Sequence, residues 1–385
     1  IRRTIVHIFN TTCGNMRSDL NIVLVQDWLT GMRGGEKVLE VFCELFPHAT
    51  VVTLLHNKGS VSPTIERHHI VTSFIDRLPL KSARYRNYLP LFPLAIESID
   101  FSEFDLVISS SHAVAKGATP APGALHICYC HTPMRYVWEL FDEYFGPGKA
   151  GFLTRTAMSF VAPRLRAWDI RSTTRVHHFV ANSRNVAERI RQYYRRPADV
   201  IYPPVNMSQF ALSERDEGYY LVVSALVPYK RVDLAIHATG QLGERLVVVG
   251  TGPEMNNLKT LAHKGVEFLG WKSDDELADL YAGCRALIFP GIEDFGIVPL
   301  EAMASGKPVV AFGAGGALET VVQDSDCPTG LFFREQSVGA LKDALRRLPS
   351  VRFDPAGIRT HAMRFDRSIF KENIRRYVEQ KAAAL

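Results

Sequence analysis

Two carboxylates, Glu293 and Glu301, stand eight positions apart in Glu293-Asp-Phe-Gly-Ile-Val-Pro-Leu-Glu301, shortly after the apolar run Ala286-Leu-Ile-Phe-Pro290. The run reads as a strand, Gly296 as a turn and Leu300-Glu-Ala-Met-Ala-Ser305 as the opening of a helix. Carboxylates accept hydrogen bonds from sugar hydroxyls. Backbone N–H groups at a helix start favour anions. The segment therefore suits a ligand that carries both hydroxyls and phosphate. The plainer reading is a turn whose acids only complement the helix dipole.

Other chemistry-bearing residues follow strand-like runs. Lys230 closes Ser224-Ala-Leu-Val-Pro-Tyr-Lys230, and His131 precedes Thr132-Pro133. Gly34-Gly35 opens a helical pattern, and Gly252 sits in Val249-Gly-Thr-Gly-Pro253. Such glycines let backbone approach a ligand, or simply make a turn. Phe312-Gly-Ala-Gly-Gly316 is similar. Cys128-Tyr-Cys130-His131 lacks the remaining ligands of a tetrahedral zinc site. Asp324-Ser-Asp326 reads as a solvated loop rather than a divalent-metal site.

The elements that must position these groups alternate along the chain. Strands are expected at Ile22–Gln26, Thr50–Leu55, Leu106–Ser109, His126–Cys130 and His178–Ala181, with helices at Gly34–Phe46 and Asn185–Tyr194. In the second half they are expected at Tyr220–Ser224, Leu246–Val249, Val266–Leu269, Ala286–Phe289 and Val309–Ala311. Helical patterns near 230–240, 253–264, 274–283, 299–305 and 316–322 separate these, and a last helix covers Ser368–Ala384. Strand–helix alternation argues for parallel sheets covered by helices. The 385 residues suggest two domains. Tyr202-Pro-Pro-Val205 is the stiff connection between them.

Composition excludes several classes. Hydrophobic content of 46% and charged content of 22% fit a folded soluble protein. No run approaches the ~20 apolar residues of a membrane span. The net charge of +5 and the lack of nucleic-acid motifs argue against a nucleic-acid partner. Six scattered cysteines suggest a reducing compartment, hence the cytoplasm. Ile1–Thr12 lack the apolar core and cleavage site of a signal peptide. Arginines crowd the stretch from Arg155 to Arg196, which reads as a solvated face or one able to approach an anionic membrane leaflet.

Taken together, Gly34-Gly35, His131, Lys230 and the Glu293–Glu301 segment make the chain resemble retaining GT-B glycosyltransferases of glycosyltransferase family 4. The resemblance runs from about residue 21 onward and is strongest from Glu293 through Ala302-Met-Ala-Ser-Gly-Lys-Pro-Val309. Arg33-Gly-Gly-Glu-Lys-Val-Leu39 and His131-Thr-Pro-Met-Arg-Tyr-Val-Trp138 are similar to a subgroup of bacterial polysaccharide-assembly transferases, many of which use GDP-mannose. The resemblance implies two Rossmann-like domains with parallel sheets facing an interdomain cleft. It divides the chain into an N-terminal extension (1–20), an acceptor domain (21–205), a nucleotide-sugar domain (206–364) and a C-terminal helix (365–385) that crosses back to the first domain.

It also implies roles. His131, Lys230 and Glu293 are the catalytic candidates: Lys230 for the leaving diphosphate, Glu293 for the transferred sugar, and His131 near the anomeric centre. Glu301 would hold the ribose. Donor-binding candidates further include Gly34, Gly35, Arg231, Gly252, Trp271, Lys272, Phe295, Gly296, Ile297 and Val298. His112, Lys116, Arg135, Tyr136 and Trp138 are acceptor-side candidates. The donor is expected to be GDP-mannose, with no cofactor and no metal required. The acceptor is expected to be a glycan or a polyprenyl-diphosphate-linked glycan, because the aromatic and basic residues of 135–160 suit a membrane interface on the inner face. One departure stands out: Ala225 occupies the position where the family often has arginine, so Arg231 or another basic group is expected to substitute.

Three other readings compete. These are a transferase using another GDP- or UDP-sugar, a sugar-nucleotide epimerase, and a noncatalytic sugar-nucleotide-binding protein. A nicotinamide oxidoreductase fits less well, because the G-x-G-x-x-G fingerprint with its distal acid is missing.

Overall fold

A computed structural model describes residues 20–139, 141–146, 151–383 and 385. The expected N-terminal extension lies, apart from Leu20, outside the described residues. The chain divides into two compact units. One holds the described residues up to Cys130 together with Ala167–Phe179 and Lys371–Leu385; the other holds His131–Arg166 and Val180–Phe370.

Each half builds a parallel sheet from short apolar strands. The first comprises β1 (Ile22–Gln26), β2 (Thr50–Thr53), β3 (Ile70–Thr72), β4 (Leu106–Ser111), β5 (Leu125–Cys130), β6 (His178–Ala181) and β7 (Asp199–Val200). Their order is β3-β2-β1-β4-β5-β6-β7. The second comprises β8 (Tyr219–Val223), β9 (Arg245–Val249), β10 (Val266–Gly270), β11 (Ala286–Phe289), β12 (Val309–Phe312) and β13 (Gly330–Phe333), in the order β10-β9-β8-β11-β12-β13. The pairings of β8 with β9 and β11, and of β1 with β2 and β4, are all parallel.

Period-two alternation explains how helices cover both faces of the second sheet. Tyr219, Leu221, Leu287, Phe289 and Val309 point to one face, among residues from Asp274–Gly283 and Ile297–Ala304. Tyr220, Val222, Ala286, Ile288 and Val310 point to the other, among residues from Val232–Leu242 and Val338–Arg347. A strand buried on both sides reads as a continuous apolar run. That is why these strands stand out in the sequence.

The β3, β7 and β13 strands and the helix Phe152–Ser172 escape the sequence reading. The strands β3 and β7 are three and two residues long, and β13 is the edge strand beside β12 among the described residues. The helix carries Pro163 in its interior, which breaks the usual pattern.

Lys116 and Asp169 form a buried ion pair in the first unit, with side chains 2% and 0% exposed. The Lys116 Nζ also donates to the Ala113 carbonyl at 3.1 Å and lies 5.3 Å from the centre of the Trp168 ring. Lys116, an acceptor-side candidate, is thus held inside the unit. Removing one partner leaves an uncompensated charge in the interior, which typically costs about 3–5 kcal/mol. Asp169→Ala is expected to lose stability on that scale by urea denaturation, while Lys116→Met/Asp169→Leu recovers part of it. A single variant as stable as the parent would contradict the role given to this pair.

Candidate active site

Strand order reverses at one place in each sheet, between β1 and β4 and between β8 and β11. There the chain leaves the two neighbouring strands in opposite directions, which opens a crevice at their carboxyl ends. Chemistry-bearing side chains gather at both reversals.

At the second reversal, Lys230 follows β8 and Glu293 follows β11, and Lys230 Nζ is in direct ion-pair contact with Glu293 Oε1. Local backbone makes this possible. A Cβ on Gly291 would stand 2.9 Å from Lys230 Cα, so only glycine lets the two loops pack so closely. Gly296, at φ +89°, turns the chain into the helix Ile297–Ala304, a conformation that side-chain-bearing residues rarely adopt. Burial pushes the Lys230 ammonium down, to about 7, and the nearby Arg135 guanidinium pushes the same way against Asp294. Contact with Glu293 opposes both and favours the charged form.

A second set of charges adjoins this pair. Asp294 is in contact with Arg189 and lies 3.4 Å from Arg135. Arg189 also contacts Glu139. The Tyr229 ring has Lys230 Nζ 5.3 Å and the Arg135 guanidinium 5.5 Å from its centre. Arg135, Arg189, Tyr229, Arg231 and Ile292 are among the residues lining a cleft of 650 Å³. Arg231 is held by both oxygens of Asp233, at 3.1 and 3.0 Å. Asp294 and Arg189 escape sequence reasoning, although Asp294 lies inside the motif itself and Arg189 in the noted arginine run.

The remaining donor-side candidates have mixed settings. Glu301 accepts from Tyr281 Oη at 2.8 Å. Phe295 is a core residue stacked on Tyr202. Ile297 and Val298 open the helix at its N-terminus. The absent Cβ of Gly252 leaves room for the Leu226 carbonyl oxygen, 2.2 Å from where that Cβ would stand. Trp271 is 76% exposed just after β10, and Lys272 pairs with Glu276 at 2.7 Å.

His131 follows β5, and its carbonyl accepts from Asn182 Nδ2 at 3.0 Å. Trp138 stacks on Tyr193 with ring centres 4.7 Å apart, and Tyr136 lies in the same short helix, Arg135–Trp138. Arg135, an acceptor-side candidate, therefore stands beside Lys230 with the donor-side candidates. Cys128 and Cys130 are buried within β5. Asp324 and Asp326 lie in an exposed loop.

At the first reversal, Asp27 follows β1 and His112 follows β4. The buried Asp27 carboxylate accepts from the N–H groups of His112, Ala113, Val114 and Ala115 at 2.7, 2.9, 2.6 and 2.7 Å. It also lies 3.0 Å from His112 Nδ1. Burial works against its ionisation, but His112 and these hydrogen bonds prevail and hold it at about 2. His112 is raised in turn: burial opposes its charge, and Asp27 and Glu36 overcome that. Gly34 and Gly35 open the helix Gly34–Leu45, where the Arg33 N–H donates to Glu36 at 3.1 Å. Asp27 and Glu36 were not singled out in the sequence; a lone acid ending an apolar strand was the available signal for Asp27.

Comparison with known proteins supplies a family context. Residues 32–209 match the family described as Glycosyltransferase Family 4, and residues 206–354 match Glycosyl transferases group 1. The chain is 35% identical over 158 residues to a GDP-mannose-dependent alpha-(1-6)-phosphatidylinositol monomannoside mannosyltransferase of Mycobacterium tuberculosis, covering 36% of this chain and 40% of that protein. It is 32% identical over 151 residues to the O-antigen chain mannosyltransferase RfbU of Salmonella typhimurium, covering 36% and 43%. The chain thus spans less than half the length of these two relatives. Sucrose-phosphate synthase from Thermosynechococcus elongatus has the same fold, with a TM-score of 0.72 at 17% identity over 95% of this chain and 100% of that one.

The Asp27 cluster has a pH signature. Its folded pKa lies below the ordinary 3.8, so its stabilisation is present above about pH 4 and is lost as pH falls toward 2. The shift corresponds to about 2 kcal/mol. Asp27→Asn is expected to narrow its stability gap to the parent across that acid range in denaturation curves. A gap that stays constant down to pH 2 would contradict the shift.

Proposed function

From a chain that carries Glycosyltransferase Family 4-like and group 1 glycosyltransferase domains in a GT-B fold, we propose retaining transfer of a hexose from a nucleoside diphosphate sugar, with mannose from GDP-mannose as the leading donor. The observation that carries this reading is the meeting of Lys230 and Glu293 at the strand reversal. The mannosyltransferase relatives favour the donor.

In this reaction the bond between the anomeric carbon and the phosphate oxygen breaks. The electron pair leaves with the nucleoside diphosphate. An acceptor hydroxyl oxygen bonds to the anomeric carbon on the face just vacated, and its proton passes to the departing phosphate. Negative charge grows on the leaving oxygens, and Lys230 with the N–H groups opening Ile297–Ala304 stabilises it. Fixed cations do this work in our reading, without a metal ion. Glu293, released from Lys230, accepts hydrogen bonds from the sugar hydroxyls, and Glu301 accepts from the ribose.

A glycan or polyprenyl-diphosphate-linked glycan is the acceptor in this reading, with bacterial surface polysaccharide as the product. Exposed Phe152 and Phe160 on the arginine-bearing helix Phe152–Ser172 support a lipid-proximal acceptor and contact with an anionic membrane. No described helix is long and apolar enough to cross a membrane.

A screen of GDP- and UDP-sugars against polyprenyl-diphosphate glycans, with linkage analysis of the product, tests the proposal. Lys230→Ala and Glu293→Ala are each expected to slow transfer by roughly 10²–10³-fold, the scale of one lost charge-stabilising group. Full activity in either variant would sink the assignment.

The lowered Lys230 pKa adds a sign. Burial and Arg135 lower it against the ion-pair partners, so charge is lost at lower pH than in an ordinary lysine and affinity for the nucleoside diphosphate is expected to fall on the alkaline side. Lys230→Arg keeps its charge there and should flatten the profile. An equally steep fall in Lys230→Arg would assign the titration to another group.

A further inference from the structure

A diphosphate spreads its charge over several oxygens, and one ammonium meets only part of it. Three guanidiniums stand near Lys230 or line the adjoining cleft. Arg231 is bound bidentately by Asp233. Arg189 is held by Asp294 and Glu139 together. Arg135 differs from both. Among the described residues its one ion contact, to Asp294, is 3.4 Å long, and Asp294 is already engaged by Arg189. Among the described residues its Nε is buried without a hydrogen-bond partner. A buried donor left unsatisfied carries a desolvation cost that a ligand acceptor would relieve.

Arg135 also shares an aromatic neighbour with Lys230. Its guanidinium and the Lys230 ammonium lie at similar distances, 5.5 and 5.3 Å, from the centre of the same Tyr229 ring. The two cations interact strongly enough that Arg135 helps to push the Lys230 ammonium down. Like charges repel, and an anion bound by both relieves that repulsion. Both Arg135 and Tyr229 line the 650 Å³ cleft.

We propose that Arg135 is a diphosphate-binding residue, the second fixed cation that completes the phosphate site begun by Lys230. The inference rests on the donor site proposed above. It moves Arg135 from the acceptor side to the donor side, and it gives the compensating role to Arg135 rather than to Arg231.

Calorimetry with GDP, GMP and guanosine on the full chain tests it. A charge-assisted hydrogen bond contributes about 1.5–3 kcal/mol, which converts to roughly 10–100-fold in affinity. Arg135→Gln is expected to weaken GDP by that factor, GMP by less and guanosine not at all. Arg135→Lys should restore part of the loss. Equal losses for guanosine and GDP would mark Arg135 as merely structural and overturn the proposal. So would unchanged GDP affinity in Arg135→Gln. A parent protein that binds UDP but not GDP, with the same Arg135 dependence, would overturn the choice of GDP-mannose and leave the Arg135 site supported. A parent that binds neither would overturn the donor site and Arg135 with it. Unfolding midpoints of both Arg135 variants, matched to the parent, separate these results from a folding defect.

Discussion

The contact between Lys230 and Glu293 is the interaction on which the functional architecture turns. It exists because β8 and β11 are neighbours in space but far apart in sequence. The chain leaves them in opposite directions and lets their loops meet over the sheet's carboxyl edge. Gly291 sets how near the two loops come. In the free protein the pair keeps a partly buried ammonium and a partly buried carboxylate neutralised. Separating them without replacement would be costly. An activated sugar offers replacement to both at once, with phosphate for the ammonium and hydroxyls for the carboxylate.

The first unit follows the same logic with other residues. Its sheet reverses between β1 and β4, and there Asp27 meets His112. The details differ in a telling way. Four backbone N–H groups converge on Asp27, so that carboxylate is fixed in place. Glu293 has no such backbone cradle among the described hydrogen bonds. One acid is built to hold a loop and orient an imidazole; the other can exchange partners.

Much of this was legible in the sequence, for a physical reason. Strands buried on both faces must be apolar throughout, so β1, β8 and β11 announced themselves, and the groups just beyond them followed. The short edge strands β3 and β7 gave too few residues for any period to show. The helix Phe152–Ser172 was hidden by Pro163. Within the site, residue type and spacing pointed to Lys230, Glu293 and Glu301, but not to partners. Adjacency suggested Arg231 as a second cation, yet its left-handed backbone, φ +52°, and the Asp233 two residues on give it a partner of its own. Arg135, nearly a hundred positions from Lys230 in sequence, reaches it only through the fold.

A crystal structure of the protein with an intact nucleoside diphosphate sugar tests the central claim most directly. The account expects diphosphate oxygens within hydrogen-bond distance of Lys230 Nζ, and Glu293 swung from the lysine to the sugar hydroxyls. An ordered donor bound elsewhere, with the Lys230–Glu293 contact unbroken, would contradict it.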